Sequence, residues 1–422
     1  MSYRKKDKFI INGGNKLYGT IKVQTSKNAT LPIMSASLLT TESVKINSCP
    51  DILDVQNMIK ILKKLGAKVE RIGDDYIIDN SQIDDICLDY NLCKTMRSSI
   101  FLLGSILARF KTMSLTMPGG CKIGERPIDI HIDAFKRLGV KVVELDDFIF
   151  FNAEHAKANK IKLKIPSVGA TENIVQFAST LKGKTIIYNA AREPEVVDLC
   201  NFLIKMGANI KGAGTNKITI FGVDRLKGVE YRPIPDRIVL GTLLIATAIC
   251  GGIIQINNAI LNQNEKLIDI LLRMGCQINI KNDIITISRE TPLKSIKSVS
   301  TGYFPDFPTD LQSLMLTLSC IVEGKTQINE KIFENRFLIV DELKKMGAKI
   351  QIIDNHTVIV EGVHKLSANK IKALDLRGGA SLVLAGLAAE GRTIIENVHF
   401  IDRGYCHLEN MLASLGADIK RI

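Results

Sequence analysis

Tryptophan is missing from this 422-residue chain, aromatic residues make up only 5% of it, and the basic residues are scattered rather than massed. A formal charge of +12 would suit nucleic acid, but no stacking platform interleaved with a basic stripe is there to use it. Cysteine occurs nine times (49, 87, 93, 121, 200, 250, 276, 320 and 406), yet no two form a CxxC pair and none shares ligand-like spacing with the six histidines. That excludes a metal-finger pattern, and an odd count without a leader reads as free thiols in a reducing cytosol. The opening MSYRKKDKFIINGG turns polar before an apolar h-region can form, so secretion is not expected. There is no P-loop and no HExxH. The turn-like KGAGT at 211–215 has Lys217 where a third glycine would stand. His131, His155, His356, His364, His399 and His407 show no triad-like spacing. The charge-free stretch Ile238–Ile254 is nearly long enough to span a membrane, but Gly251-Gly252 interrupts it, which predicts a buried helix and strand instead.

What the chain does contain is 46% apolar residues, core enough for two or three domains, against 24% charged. Six times an amphipathic pattern ends in one phrase: KKLGAKVE, KRLGVKVV, IKMGANIK, LRMGCQIN, KKMGAKIQ and ASLGADIK. The shared glycine stands at 66, 139, 207, 275, 347 and 416, at intervals of 73, 68, 68, 72 and 69 residues. A fixed period of this length marks one supersecondary unit copied around an architecture.

Each copy predicts two helices. The first is nearly all apolar: SKNATLPIMSASLL, MRSSIFLLGSILAR, SVGATENIVQFAST, PDRIVLGTLLIATA, TDLQSLMLTLSCIV and DLRGGASLVLAGLA. A turn and a β-branched strand follow, as in GKTIIYNAA, GKTQINEKI and GRTIIENVH. The second helix carries a stripe such as Met58, Ile61, Leu62 and Leu65, and its closing glycine fits a C-cap with positive φ. One or two strands close the unit. The pattern predicts an α/β fold of two similar inside-out domains built from six βαβαββ-like repeats, strands outside and helices inside.

Charge gathers where the first helices begin, at Lys27, Arg97, Ser167-Val168-Gly169, Asp310 and Asp375/Arg377. Helix N-termini offer free N–H groups and a positive dipole end, which suit anions. Arg126, Arg192, Arg336 and Arg403 recur 13, 15, 11 and 13 residues before the shared glycines. Taken singly, each would pair with a local acid: Glu125, Glu193, Glu334 or Asp402. Taken together they predict one basic cavity for a small polyanionic substrate, since guanidinium forks suit carboxylate and phosphate. The loop PGGCKIGERPIDIH, residues 118–131, sets Cys121 among glycines beside Lys122 and Arg126. An exposed electropositive loop favours a reactive thiolate, and its glycines suit a lid. The other eight cysteines are expected to be inert core.

These residues carry a resemblance. SKNATLP, MRSS at 96, PGGCKIGERPIDIH, SVGATEN, AAREPEVVD, FPTD at 307, FENRF at 333, DLRGGASLVLAG at 375 and HFIDRGY at 399 span essentially the whole chain. In that set the chain resembles the UDP-N-acetylglucosamine 1-carboxyvinyltransferase family of enolpyruvyl transferases. The resemblance implies transfer of the enolpyruvyl group of phosphoenolpyruvate to the 3′-hydroxyl of UDP-N-acetylglucosamine, the first committed step of peptidoglycan synthesis. It implies a bacterial cytoplasmic enzyme with no metal or organic cofactor, and no nucleic-acid or membrane partner. Two domains follow from it, residues 1–24 with 232–422 and residues 25–231, with the active site in the cleft between them.

The site residues it implies are Cys121, Asp310 and Lys27 for catalysis. Cys121 would give a proton or form the covalent adduct, and would be alkylated by fosfomycin. Asp310 would touch the sugar 3′-hydroxyl. Lys27, Asn28, Arg126, Arg336, Arg377 and Arg403 would hold phosphoenolpyruvate. Arg97, Arg126, Pro127, Ile128, Asp129, Ile130, Ile165, Pro166, Ser167, Val168, Asp310 and Ile332 would hold the UDP-sugar. Thr25-Ser26 and Ile165-Pro166 depart from the family pattern, which has Gly-Ala before the lysine and often a lysine near residue 165. Two alternatives remain at this level. One is the related 5-enolpyruvylshikimate-3-phosphate synthase, whose fold and chemistry are shared. The other is a basic nucleic-acid-binding repeat protein, which would show steeply salt-dependent binding.

Overall fold

The computed structural model describes residues 6–83, 100–116, 128–145 and 148–422. The chain divides into two compact units, residues 6–24 with Pro235–Ile422 and the described part of residues 25–234. Among the described residues of the 25–234 unit the helices are α1 (Lys27–Ala36), α2 (Leu53–Lys64), α3 (Leu102–Phe110), α4 (Asp129–Arg137), α5 (Val168–Ala178) and α6 (Pro194–Lys205). The other unit holds α7 (Arg237–Cys250), α8 (Glu265–Met274), α9 (Gln312–Cys320), α10 (Val340–Lys345), α11 (Leu376–Ala388) and α12 (Leu408–Ala413).

Odd-numbered helices are the apolar first helices of each repeat, and even-numbered ones are amphipathic. Residues 237–249 of α7 are all buried, and Gln312–Cys320 are buried throughout α9. A helix apolar on every side can only lie inside, and this is where they lie. In α2 the stripe Met58, Ile61 and Leu62 is buried while Lys60, Lys63 and Lys64 face out. The six shared glycines all have positive φ, from 80° at Gly139 to 111° at Gly275. A residue with a Cβ would be strained there, so the phrase ends each second helix for a backbone reason. Where α3 meets α5, the Gly104 N–H donates to Asn173 Oδ1 at 2.7 Å. A Cβ at Gly104 would stand 2.4 Å from the Asn173 carbonyl oxygen, so this crossing requires glycine.

Each complete repeat forms one four-stranded sheet. In the third, Lys160–Lys162 runs parallel to Lys184–Tyr188, which pairs antiparallel with Lys217–Phe221, and Asn209–Lys211 lies outermost. The KGAGT glycines form the turn between the last two strands. Residues 6–24 supply two strands to sheets of the 235–422 repeats. Phe9–Asn12 sits between Arg392–Glu396 and Asp418–Arg421, and Leu17–Lys22 opens the fourth repeat beside Gly252–Asn257. In return Glu230–Tyr231 pairs with Val44–Ile46 and opens the first repeat. Each unit therefore closes with a strand distant in sequence, and the chain passes between units at 24/25 and 234/235. The charge-free stretch divides as expected into α7 and the strand Gly252–Asn257. Among the described residues no helix is long and apolar enough to cross a membrane.

Candidate active site

In the 25–234 unit, α1 begins at Lys27 because Ser26 caps it, its Oγ accepting from Ala29 N at 3.3 Å. Lys27 and Asn28 thus stand in the first turn, both partly exposed. The Lys27 ammonium lies 3.3 Å from Asp54 Oδ2, a carboxylate buried in the first turn of α2. Sequence reading missed Asp54, because an acid in a helix's first turn already has an explanation in the macrodipole. The 128–130 and 165–168 segments, expected to hold the UDP-sugar, lead into α4 and α5. His131 of α4 joins them: its Nδ1 is 3.2 Å from Asn173 Nδ2, and a Cβ on Gly169 would come 3.2 Å from its ring. Ile128 is buried, Asp129 exposed, and Ile165 presents an exposed side chain.

The third repeat breaks the pattern of basic loops. Arg192 is exposed, while Glu193 and Glu195 beside it are buried. Glu172 of α5 is wholly buried, and neither of its carboxyl oxygens has a hydrogen-bond partner. Burial first, then the neighbouring Glu195 and Glu193 charges, hold its carboxyl well above the usual range. Thr171, one residue earlier, accepts the Ala191 N–H at 3.1 Å and ties this loop to α5.

In the other unit the expected residues converge. Asp310 lies in the short turn Thr309–Leu311 that leads into α9. Its Oδ1 accepts from Arg336 Nη2 at 2.7 Å, and its Oδ2 from Arg377 Nη2 at 3.1 Å. Both guanidiniums are buried, with residue exposures of 4% for Arg336 and 3% for Arg377. Burial works against the Arg377 charge, but Asp310, Tyr405 and Asp236 more than offset it and hold the group above its ordinary value. Arg336 Nε and Arg377 Nη1 are buried donors with no hydrogen-bond acceptor. Buried polar groups are rarely left so, and two guanidinium donors in this state suit an anionic ligand. Glu330, fully buried, explains why FPTD and FENRF lie together. It accepts from Thr309 Oγ1 at 2.9 Å, from Ile332 N at 2.8 Å and from Phe333 N at 3.1 Å.

Three expectations are corrected. The free N–H groups expected at the start of α11 are occupied, because Asp375 Oδ1 accepts from Arg377 and Gly378. The positive field here comes from side chains rather than bare helix ends. The local acid partners also differ, since Arg336 pairs with Asp310 rather than Glu334, and Asp402 binds Arg421 at 2.5 and 3.0 Å. Arg403 ends the turn Val398–Arg403, partly exposed. Among the other cysteines, 49, 200 and 320 are buried, and burial pushes their thiols up to about 12, but Cys250 and Cys406 are partly exposed. Cys121, Arg97, Arg126 and Pro127 lie outside the described residues, as do Cys87 and Cys93.

The profile of the EPSP synthase (3-phosphoshikimate 1-carboxyvinyltransferase) family matches residues 11–412. The chain is 46% identical to UDP-N-acetylglucosamine 1-carboxyvinyltransferase 2 of Caldanaerobacter subterraneus subsp. tengcongensis, across 98% of this chain and 99% of that one. Its structure is similar to that of the enolpyruvyl transferase NikO from Streptomyces tendae, with a TM-score of 0.88 at 25% identity, covering 99% of both chains. EPSP synthase from Acinetobacter baumannii has the same fold at a TM-score of 0.76 and 17% identity, covering 99% of this chain and 100% of that one. With six repeats in two α/β units, the chain belongs to the EPSP synthase family of enolpyruvyl transferases.

Proposed function

We propose that the protein transfers the enolpyruvyl group of phosphoenolpyruvate to the 3′-hydroxyl of UDP-N-acetylglucosamine and releases inorganic phosphate, at the committed step of peptidoglycan synthesis. The observation that carries this choice of acceptor is the full-length 46% identity to a relative of that name, against 17% to a solved EPSP synthase. The site chemistry agrees with it. Addition needs an acid at the methylene carbon of phosphoenolpyruvate, a base at the acceptor hydroxyl, and cations around a leaving phosphate. Cys121 gives its proton to the methylene carbon, and the neighbouring carbon becomes cationic. The 3′-oxygen bonds to that carbon as Asp310 takes the hydroxyl proton. The tetrahedral adduct then loses phosphate and a methyl proton, leaving the vinyl ether.

Lys27, Asn28, Arg126, Arg336, Arg377 and Arg403 bind the phosphate and carboxylate of phosphoenolpyruvate. Arg97, the 126–130 and 165–168 segments, Asp310 and Ile332 bind the UDP-sugar. The Cys121 thiolate is the group that phosphoenolpyruvate or fosfomycin would alkylate. A cytoplasmic location is supported by the substrates, since phosphoenolpyruvate and nucleotide sugars are made there.

The test is phosphate release from phosphoenolpyruvate with UDP-N-acetylglucosamine or shikimate 3-phosphate as acceptor, repeated for Cys121→Ser. Release with the UDP-sugar alone is expected, slowed by roughly 10²–10⁴-fold in the variant. Release with shikimate 3-phosphate instead would overturn the acceptor, and undiminished release in the variant would overturn the role of Cys121.

A further inference from the structure

The pairing of one carboxylate with two buried guanidiniums bears on how the reaction is controlled. Asp310 carries a single negative charge against the two positive charges of Arg336 and Arg377, at 2.7 and 3.1 Å. Their side chains are 3% and 4% exposed, that of Asp310 26%. Two buried cations cannot stand bare, so in the absence of ligand something anionic must sit between them. Arg336 Nε and Arg377 Nη1 nevertheless still lack acceptors. The cluster is therefore satisfied only in part, and a second anion has donors to take.

The same bonds engage both carboxylate oxygens of Asp310. The turn that bears it is tied at its neighbour, where Thr309 Oγ1 donates to Glu330 Oε2 at 2.9 Å.

Resting on the reading of function above, we infer that Asp310 stands in for the substrate's anionic group. An incoming carboxylate or phosphate displaces it from at least one of Arg336 and Arg377, so that binding of the enolpyruvyl donor is what frees the base. One set of charges then serves two steps. The arginines pass from the internal to the external anion, and the released carboxylate is free to take the proton that the acceptor hydroxyl must lose. No covalent bond changes in this exchange. It is a swap of ion pairs, and without the donor the base stays masked.

Titration calorimetry with phosphoenolpyruvate, without acceptor, tests the displacement on the full chain and on Asp310→Asn and Asp310→Ser. If Asp310 competes with the ligand, both variants bind phosphoenolpyruvate on the order of tenfold or more tightly while phosphate release collapses. Equal or weaker binding by folded variants would overturn the inference, since Asp310 would then be holding the arginines in place for the ligand. Should neither variant fold, a crystal structure of the wild-type protein with phosphoenolpyruvate decides. One Asp310–arginine pair must open beyond hydrogen-bond distance, and two intact pairs beneath a bound ligand would refute the exchange. A wild-type protein that releases no phosphate with either acceptor would defeat the functional reading instead. The same titrations with inorganic phosphate would then judge the displacement alone.

Discussion

Glu172 gives the sharpest stability prediction. Its carboxyl is completely buried, both oxygens lack hydrogen-bond partners, and burial, Glu195 and Glu193 together hold its pKa well above the ordinary 4.5. The folded protein therefore keeps a proton there that the unfolded chain releases above about pH 4.5. Because the unfolded state binds fewer protons, stability falls as pH rises from that point until the folded carboxyl itself ionises. A single group of this kind costs about 1.4 kcal/mol for each pH unit crossed. Glu172→Gln has nearly the same shape and no proton to lose, so it removes the slope. Melting followed by circular dichroism from pH 5 to pH 8 should show the variant gaining on the wild type as pH rises. For a body of 150–250 residues each kcal/mol moves the midpoint by about 2–4 °C. Parallel curves for the two proteins, or a wild type that gains stability with pH relative to the variant, would mean that Glu172 is ionised and compensated in the fold. The account of the acidic third repeat would then be wrong.

Two glycines separate strain from crowding. Gly347 has a φ of 89° and open space around a would-be Cβ, so Gly347→Ala should cost about 1–2 kcal/mol from backbone strain alone. Gly104→Ala drives a methyl to 2.4 Å from the Asn173 carbonyl oxygen and should cost about 1–3 kcal/mol, with α3 and α5 pushed apart. Denaturant titration of each, with a crystal structure of the second, checks both. Asp54→Asn leaves the Lys27 ammonium without the carboxylate at 3.3 Å, and kcat/KM for phosphoenolpyruvate should fall by about 10–100-fold as the lysine loses its alignment. Unchanged steady-state kinetics would show that Asp54 serves only to start α2.

The repeat was legible in the sequence because its signals are local. Positive φ at Gly66 or Gly416 needs glycine whatever surrounds it, and a helix such as Arg237–Cys250, apolar on every side, has one place to go. Asp310, Arg336 and Arg377 were nameable through their motifs, but their ion pairs were not. Each arginine has a nearer acid in sequence, and Glu334 lost to Asp310 because the loop and the helix start of the fifth repeat meet the helix start of the sixth in space. Asp402 was lost to Arg421 for a related reason, since the closing strand Asp418–Arg421 brings that guanidinium under the turn Val398–Arg403. Asp54 and Glu172 carried no signal at all, being ordinary residues within helical patterns.

By itself, then, the sequence determined the period, the inside-out placement of the helices and the family, since these rest on side-chain periodicity, glycine backbone freedom and contiguous motifs. Tertiary structure alone decided which charges face one another. It set Lys27 on Asp54 and Asp310 between two arginines, and left Glu172 without a partner. Electrostatic energy depends on distance and burial through space, and residues 26 or 67 apart in the chain, as Asp310 is from Arg336 and Arg377, carry no local mark of meeting.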